Sequence, residues 1–335
     1  MTDSPGRKLS YVQAFTEAVR LEMADDPTVI CAGEDIGFFG GVFQSYAGLQ
    51  TEFGVDRVVD TPISEQAIVG LGLGAAVNGM RPIVDIMFMD FMAVALDQII
   101  NQAAKIKYMF GGAATVPLTI TTGGGAGMSA AAQHSQSLEA LLCHIPGLKV
   151  VYPSNPLDMK GLMASCIRDD NPTVMVKHKR LLGMKAEVPE ERYYTPLGEA
   201  RVIRPGNDVT VVAWGKMTND ALAAADTLAR DGIECEVIDP RTLQPFDIGT
   251  VVESVRRTNR AVVVHEAVRF GGLGGEIASQ IQENAFDYLD APVARLGAPF
   301  SPVPFSPDLE AAYIPSQERI VEEVRSVMAR PLLGG

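Results

Sequence analysis

Apolar residues fall along this chain in two alternating rhythms. Short, nearly uninterrupted apolar runs occur at residues 28–32, 83–87, 118–122, 149–152 and 173–177. Between them, residues 11–23, 65–80, 91–109, 137–144 and 157–168 place apolar side chains three and four positions apart. Continuous apolar runs read as strands buried on both faces, and the longer period reads as amphipathic helix. Strands separated by helices predict a largely parallel sheet covered on both sides, the doubly wound α/β class.

The rhythm stops between residues 180 and 195, where MKAEVPEERYYTP is polar, contains proline and has no period. It resumes with strands expected at 208–214, 234–238 and 261–265, and helices at 218–231, 248–258 and 276–285. The organisation predicted is a first α/β domain over 1–185, a linker over 186–200 and a smaller α/β domain over 201–335.

Charge narrows the partners. Forty-one acidic against 28 basic residues give a formal charge of -13 over 335 residues. Such a surface repels phosphate backbones, so no nucleic acid and no membrane surface is expected as a partner. The chain opens without an apolar signal core, and its longest low-charge stretch, 67–80, is broken by glycines and an asparagine. No transmembrane helix is expected from that pattern. Cys31, Cys143, Cys166 and Cys235 are far apart and form no CxxC pair, which points to a reducing compartment, most simply the cytoplasm.

Two glycine-rich loops invite a nucleotide reading and fail it. Residues 123–129 lack the GK[ST] ending of a phosphate loop, and residues 271–276 begin too far beyond His265 for a dinucleotide turn. Both are read as tight turns. No GxSxG elbow and no His/Asp/Glu grouping with metal-ligand spacing is present.

Three positions carry more chemistry. Glu65 opens a helix after Ser64, a candidate N-cap, and a carboxylate in a first turn gains from the helix dipole. The same helix holds Gly70, Gly72, Gly74 and Ala75, which implies close packing on one face and a buried glutamate at its mouth. Buried carboxyls acquire raised pKa values suited to proton transfer, so the structural and chemical readings of Glu65 both stand. His134 follows the triglycine loop inside a polar cluster, a setting that favours a ligand over a core role. Phe88 reads as core, whereas Phe91 follows a strand's carboxyl end, where open α/β sheets bind ligands and an aromatic can stack on a heterocycle.

The run DTPISEQAIVGLGLGAAVNGMRPIVDIMFMDFMAVALDQIINQAAKIKYMFGG resembles the beta subunit of the thiamine-diphosphate-dependent decarboxylating component of 2-oxo acid dehydrogenase complexes. GAGMSAAAQHSQSLEALLCHIPGLKVVYPSNPLDMKGL and VIDPRTLQPFD extend the resemblance over nearly the whole chain. Within the family, MFMDF and APFSPVPFSPDLEAAYIPS look more like the acetoin than the pyruvate type.

The resemblance implies a pyrimidine-type thiamine-diphosphate-binding domain followed by a transketolase C-terminal-like domain. It matches Glu65 to the glutamate that shares a proton with the cofactor's aminopyrimidine, and Phe91 to the aromatic packed against that ring. His134 matches the histidine facing the substrate and the incoming lipoyl group, and Glu34 an acidic position near the cofactor. Leu118, Cys166, Ile167, Asp169 and Asn171 match a structural potassium site built mostly of backbone carbonyls, a hard-oxygen set suited to an alkali ion.

The Gly-Asp-Gly motif with which thiamine enzymes hold diphosphate through magnesium is missing from the sequence. The family assigns the diphosphate and Mg2+ to a separate alpha subunit, in an assembly of two alpha and two beta chains. The resemblance therefore implies a subunit inactive alone, an alpha partner, a lipoyl-bearing acyltransferase core, and a 2-oxo acid or acetoin as substrate. Two other readings are a split transketolase-like subunit moving a two-carbon unit to a sugar phosphate or carrier protein, and a non-catalytic assembly subunit. The QHSQSLEA string argues against transfer to a sugar phosphate and leaves transfer to a carrier protein open; the joint presence of Glu65, Phe91 and His134 argues against the assembly reading.

Overall fold

The computed structural model describes residues 7–330, which form two compact units. The first comprises the described residues up to Gly124 with Leu141–Leu197; the second comprises Gly125–Ala140 and the described residues from Gly198 onward.

In the first unit, six strands run parallel in the order Lys149–Val151, Thr173–His178, Thr119–Gly124, Arg81–Phe88, Val29–Glu34, Val58–Thr61. Their burial on nearly every position explains why they read as continuous apolar runs. Helices Tyr11–Asp25 and Pro156–Arg168 bury Tyr11, Phe15, Val19 and Met23 with Met159, Leu162 and Met163 in one core. The first helix starts at Ser10 because the chain closes a capping box there: Ser10 Oγ accepts Gln13 N (3.1 Å) and Gln13 Oε1 accepts Ser10 N (2.8 Å). The second starts at Asn155, whose Oδ1 accepts Asp158 N (2.9 Å), with Pro156 in the first turn.

Helix Glu65–Val77 departs from expectation in two ways. Ser64 holds the N-cap position, but its side chain makes no capping bond; only its carbonyl accepts Ile68 N (2.9 Å). The glycines also divide between two faces. A Cβ on Gly72 would come within 2.6 Å of Val84 and 2.9 Å of Leu118, so Gly72 lets the helix lie flat on the sheet. Gly74 meets nothing within 4 Å and Gly70 only the amide of Gln98. Gly70 and Gly74, with exposed Leu71 and Val77, lie off the sheet.

The helix expected over 91–109 is three pieces: a 3-10 segment Met89–Ala95, a π segment Gln98–Ala103 and an α segment Ala104–Met109. The buried positions account for this. Met89, Met92 and Ala95 recur every three residues, the 3-10 period, while Ala95, Ile99 and Ala103 recur every four.

The polar segment expected as a linker is fastened to the first unit through Leu197. Lys185–Glu187 pairs antiparallel with Lys8–Ser10. The buried ammonium of Lys160 donates to Glu17 Oε1 (2.7 Å) and to the carbonyls of Pro189 (2.6 Å), Glu190 (3.0 Å) and Glu191 (3.0 Å). Tyr193 Oη donates to Leu157 O (2.8 Å).

The second unit centres on a sheet ordered Ala294–Ala298, Ala261–Val268, Val209–Ala213, Cys235–Asp239, Arg201–Arg204, parallel except for the last pair. Helices Lys216–Ala229 and Gln317–Met328 bury Ala221, Ala225, Leu228, Ile320 and Val324 against Val211, Val237 and Val262. Among the described residues, no helix is long and apolar enough to cross a membrane.

Candidate functional site

The strand order of the first unit reverses between Val29–Glu34 and Arg81–Phe88, and open α/β sheets bind ligands at the carboxyl ends of strands at such a switch point. Glu34 ends one of these strands; Phe88 ends the other, with Phe91 just beyond. Glu65 opens the helix that follows Val58–Thr61, the next strand in the sheet. Glu34 stands in register with Thr61.

Burial pushes the Glu34 carboxyl above the usual carboxylate range, and the negative charges of Asp35 and Glu65 push it further. The two glutamates singled out in the sequence thus lie close enough for the charge of Glu65 to act on Glu34. Glu65 itself is half-buried rather than buried as expected, because the first turn of its helix lies at the edge of the unit, between exposed Ile63 and exposed Gln66. Phe91 belongs to an aromatic row, edge-on to Phe88 at 5.6 Å, which is edge-on to Phe43 at 5.5 Å. Phe88 is therefore a half-buried member of this row rather than a core residue.

Sequence reasoning passed over Asp60. Its Oδ1 accepts Gly37 N (2.6 Å) and its Oδ2 accepts Phe38 N (3.3 Å). A Cβ on Gly37 would fall 2.1 Å from Gln50 Nε2 and 2.5 Å from Asp60 Oδ2, so glycine leaves the room this approach needs. The loop after Glu34 is thereby pinned to the strand end that leads to Glu65, presenting Phe38 and Phe39 to solvent edge-to-face at 5.1 Å. Asp60 opens the motif already noted around Glu65, the signal that marks it.

His134 lies in the second unit, half-buried in a segment of unusual backbone. Gly125, Gly127, Ser129 and Ala131 all have positive φ, at 87°, 91°, 51° and 60°. The conformation turns successive amides inward, the geometry of an anion-binding nest. The anions are the chain's own: Glu266 accepts Ala126 N, and Glu310 accepts Gly127 N (2.8 Å) at Oε1 and Ser129 N (2.8 Å) at Oε2. Glu139, after the loop, accepts Trp214 Nε1 (3.0 Å). The glycine-rich loop was read as unfit for nucleotides, and these bonds supply the reason. Glu266 and Glu310 were missed, because their partners lie 140 and 183 residues away.

Beside this segment a cavity of about 450 Å³ is lined by Ser135, Leu138, Glu266, Phe300, Val303 and Tyr313, among others. The Ser135 hydroxyl is buried without a hydrogen-bond partner. The second glycine loop also has an internal occupant, His265. Its ring stacks on Trp214 at 5.3 Å, and a Cβ on Gly272, Gly274 or Gly297 would approach it within 2.8 Å. Burial pushes His265 down to about 4.

Leu118, Cys166, Ile167, Asp169 and Asn171 all lie in the first unit, at or next to strand and helix ends. Arg81 Nη1 donates to the carbonyls of Ile167 (3.1 Å) and Asp169 (3.3 Å). Lys149 pairs with the Asp169 carboxylate, and Lys107 Nζ donates to Asn171 Oδ1 (2.8 Å). Leu118 O accepts Thr173 N (2.9 Å) and Cys166 O accepts Asp169 N (3.3 Å). Hard oxygens of this kind suit an alkali ion, and those of Ile167, Asp169 and Asn171 already accept from the chain's own cations. The Cys166 thiol is pushed up to about 12 by burial and is no thiolate ligand.

Comparison with known proteins places the chain in a family. The family described as "Transketolase, pyrimidine binding domain" matches residues 7–185, and "Transketolase, C-terminal domain" matches residues 198–320. The chain is 50% identical over 332 residues to the acetoin:2,6-dichlorophenolindophenol oxidoreductase subunit beta of Cupriavidus necator, covering 96% of this chain and 98% of the relative. It is 42% identical over 322 residues to the pyruvate dehydrogenase E1 component subunit beta of Bacillus subtilis, covering 96% and 99%. A solved structure titled as a split gene transketolase, inactive beta4 tetramer, superposes with a TM-score of 0.78 at 23% identity over 96% of this chain and 98% of that one, a likeness of fold. The chain belongs to the transketolase-type family that includes the beta subunits of acetoin:2,6-dichlorophenolindophenol oxidoreductase and of the pyruvate dehydrogenase E1 component.

Proposed function

We propose that this chain is the beta subunit of a heteromeric thiamine-diphosphate enzyme that oxidatively decarboxylates a 2-oxo acid, or cleaves acetoin, and passes the acyl group to a lipoyl domain. The observation that carries the reading is the joining of full-length similarity to such beta subunits with paired acidic residues at the switch point of the sheet. Bound there, thiamine diphosphate supplies an electron sink for the carbon from which carbon dioxide or an acyl fragment is cleaved.

The chain's own residues orient and protonate. Glu65 holds a proton at its carboxyl oxygen for the ring nitrogen of the aminopyrimidine. Glu34, whose carboxyl is pushed up by burial and by the charges of Asp35 and Glu65, takes up a proton more readily than an exposed glutamate at that corner. Phe91 offers a ring face at the carboxyl end of its strand. His134 faces the substrate, beside a cavity with room for an acyl or lipoyl group. The potassium set serves as a brace between strand and helix ends. The alpha subunit supplies the diphosphate half with its magnesium, and the working assembly is two alpha and two beta chains on an acyltransferase core.

Titration calorimetry of thiamine diphosphate with magnesium tests the division of labour. Heat of binding is expected only when the cognate alpha chain is mixed in, and tight binding to this chain alone overturns it. In the mixture, Glu65→Gln is expected to lower turnover of pyruvate or acetoin, read with a dye acceptor, by about 100-fold or more. Unchanged turnover refutes the catalytic reading.

A further inference from the structure

The segment that carries His134 has no regular structure from Gly125 to Leu138, yet its amides have defined partners. Glu266 is 7% exposed and Glu310 3% exposed, burial that a carboxylate tolerates only when its charge is met by donors. The donors are the amides of Ala126, Gly127 and Ser129, which the positive-φ backbone turns inward. Charge-assisted bonds of this kind are roughly twice as strong as neutral ones. Glu310 uses both oxygens, one per amide, so it fixes the orientation of the turn as well as its place. Both carboxylates stand on rigid supports, Glu266 in strand Ala261–Val268 and Glu310 in helix Pro307–Tyr313. The turn ends a few residues before His134, whose own amide donates to Ala131 O at 3.5 Å.

We propose that Glu310 and Glu266 are positioning residues: they clamp residues 125–131 so that the His134 imidazole is held where the reaction uses it. This rests on the role given to His134 above. A histidine on an unclamped loop samples many orientations, and each turnover waits for the productive one. Misplacement of a reacting group by about 1 Å costs on the order of 100-fold in rate. Glutamine at 310 keeps the size of the side chain but turns a donor toward one of the two amides, so that only one bond survives.

The test uses the full chain reconstituted with its cognate alpha chain. In Glu310→Gln, amide exchange at Gly127 and Ser129 is expected to accelerate about tenfold, and kcat to fall about 10- to 100-fold with KM little changed. Glu266→Gln is expected to do the same at Ala126. Glu310→Asp, which keeps the charge and withdraws the oxygens by one methylene, serves where the glutamine variant does not fold, with kcat between the two. The deciding comparison is a cycle with His134→Ala: if the clamp acts through His134, Glu310→Gln costs nothing further in that background. An equal loss in both backgrounds, or unchanged exchange, overturns the clamp while the role of His134 stands. Wild-type turnover in His134→Ala overturns the role of His134, and the clamp's purpose with it.

Discussion

Lys177 offers the most direct test of the energetic reading of the first unit. The side chain is 2% exposed in the middle of the parallel sheet, and its Nζ donates to Asp85 Oδ1 at 2.8 Å. Asp85, 7% exposed, also accepts from Thr121 and from Tyr46 (3.3 Å). The ammonium lies 4.7 Å from the ring centre of Phe15 and 5.4 Å from that of Tyr46. Replacing Lys177 with methionine preserves the stem and removes the charge, leaving the Asp85 carboxylate buried with hydroxyl donors alone. The lost charged hydrogen bond is worth about 1.5–3 kcal/mol and the cation–π contacts about 1–2 kcal/mol. Their sum matches the cost of breaking a buried pair from one side, about 3–5 kcal/mol. At about 2–4 °C per kcal/mol, the melting transition of the first unit should fall by about 6–20 °C. Calorimetry and urea denaturation of the purified chain read this. The double variant Asp85→Asn/Lys177→Met should regain more than half of the loss, because no uncompensated charge remains. A single variant within about 1 kcal/mol of wild type would show that the pair carries no net energy, and the reasoning would fail.

Three further outcomes follow from the structure. His265, held near 4 by burial against 6.5 for a free histidine, contributes stability in full above about pH 6.5 that is lost as pH falls toward 4. The total is about 3 kcal/mol, so His265→Phe should flatten the acid limb of a stability-versus-pH curve, and an unaltered limb would assign it to other groups. Gly74→Ala should stabilise the isolated chain by up to about 1 kcal/mol, since its Cβ meets nothing, yet weaken assembly with the alpha chain in sedimentation if this face is where a partner packs. Unimpaired assembly would exclude that face. Replacing potassium with tetramethylammonium at constant ionic strength should lower the melting temperature of the chain if the oxygens around Asp169 hold the ion. An identical melt would show that Arg81, Lys149 and Lys107 suffice.

What was legible in the sequence tracks what is local. Strands such as Val29–Glu34 and Thr173–His178 stand out because nearly every position is buried, so composition alone betrays them. The capping box at Ser10 sits within four residues. Glu65 was marked by its place at the start of a helix and Phe91 by its place after a strand, and the structure sets Glu65 at the first position of its helix and Phe91 just beyond the strand ending at Phe88. Long-range partnerships left no trace. Asp85 and Lys177 each interrupt an apolar run, but nothing nearby tells that they answer each other across 92 residues. Residues 125–140 continue the first unit in sequence yet pack with the second, because the carboxylates that capture them come from 266 and 310. The stretch 91–109 was read as one helix because three- and four-residue spacings both satisfy a helical search, although only their mixture sets its three forms.

The filled nest before His134 has a consequence for what this loop can ever bind. Its ligands are tethered, and a tethered group competes at an effective concentration of millimolar or more, before any gain from a rigid support. Free phosphate or a nucleotide arriving from solution meets a receptor that is already saturated, and it would have to expel a carboxylate that is itself nine-tenths buried. The loop is therefore blind to cellular anions for as long as Glu266 and Glu310 remain. A chain lacking both would expose three converging amides, and the same backbone would become a receptor for the anions it now ignores.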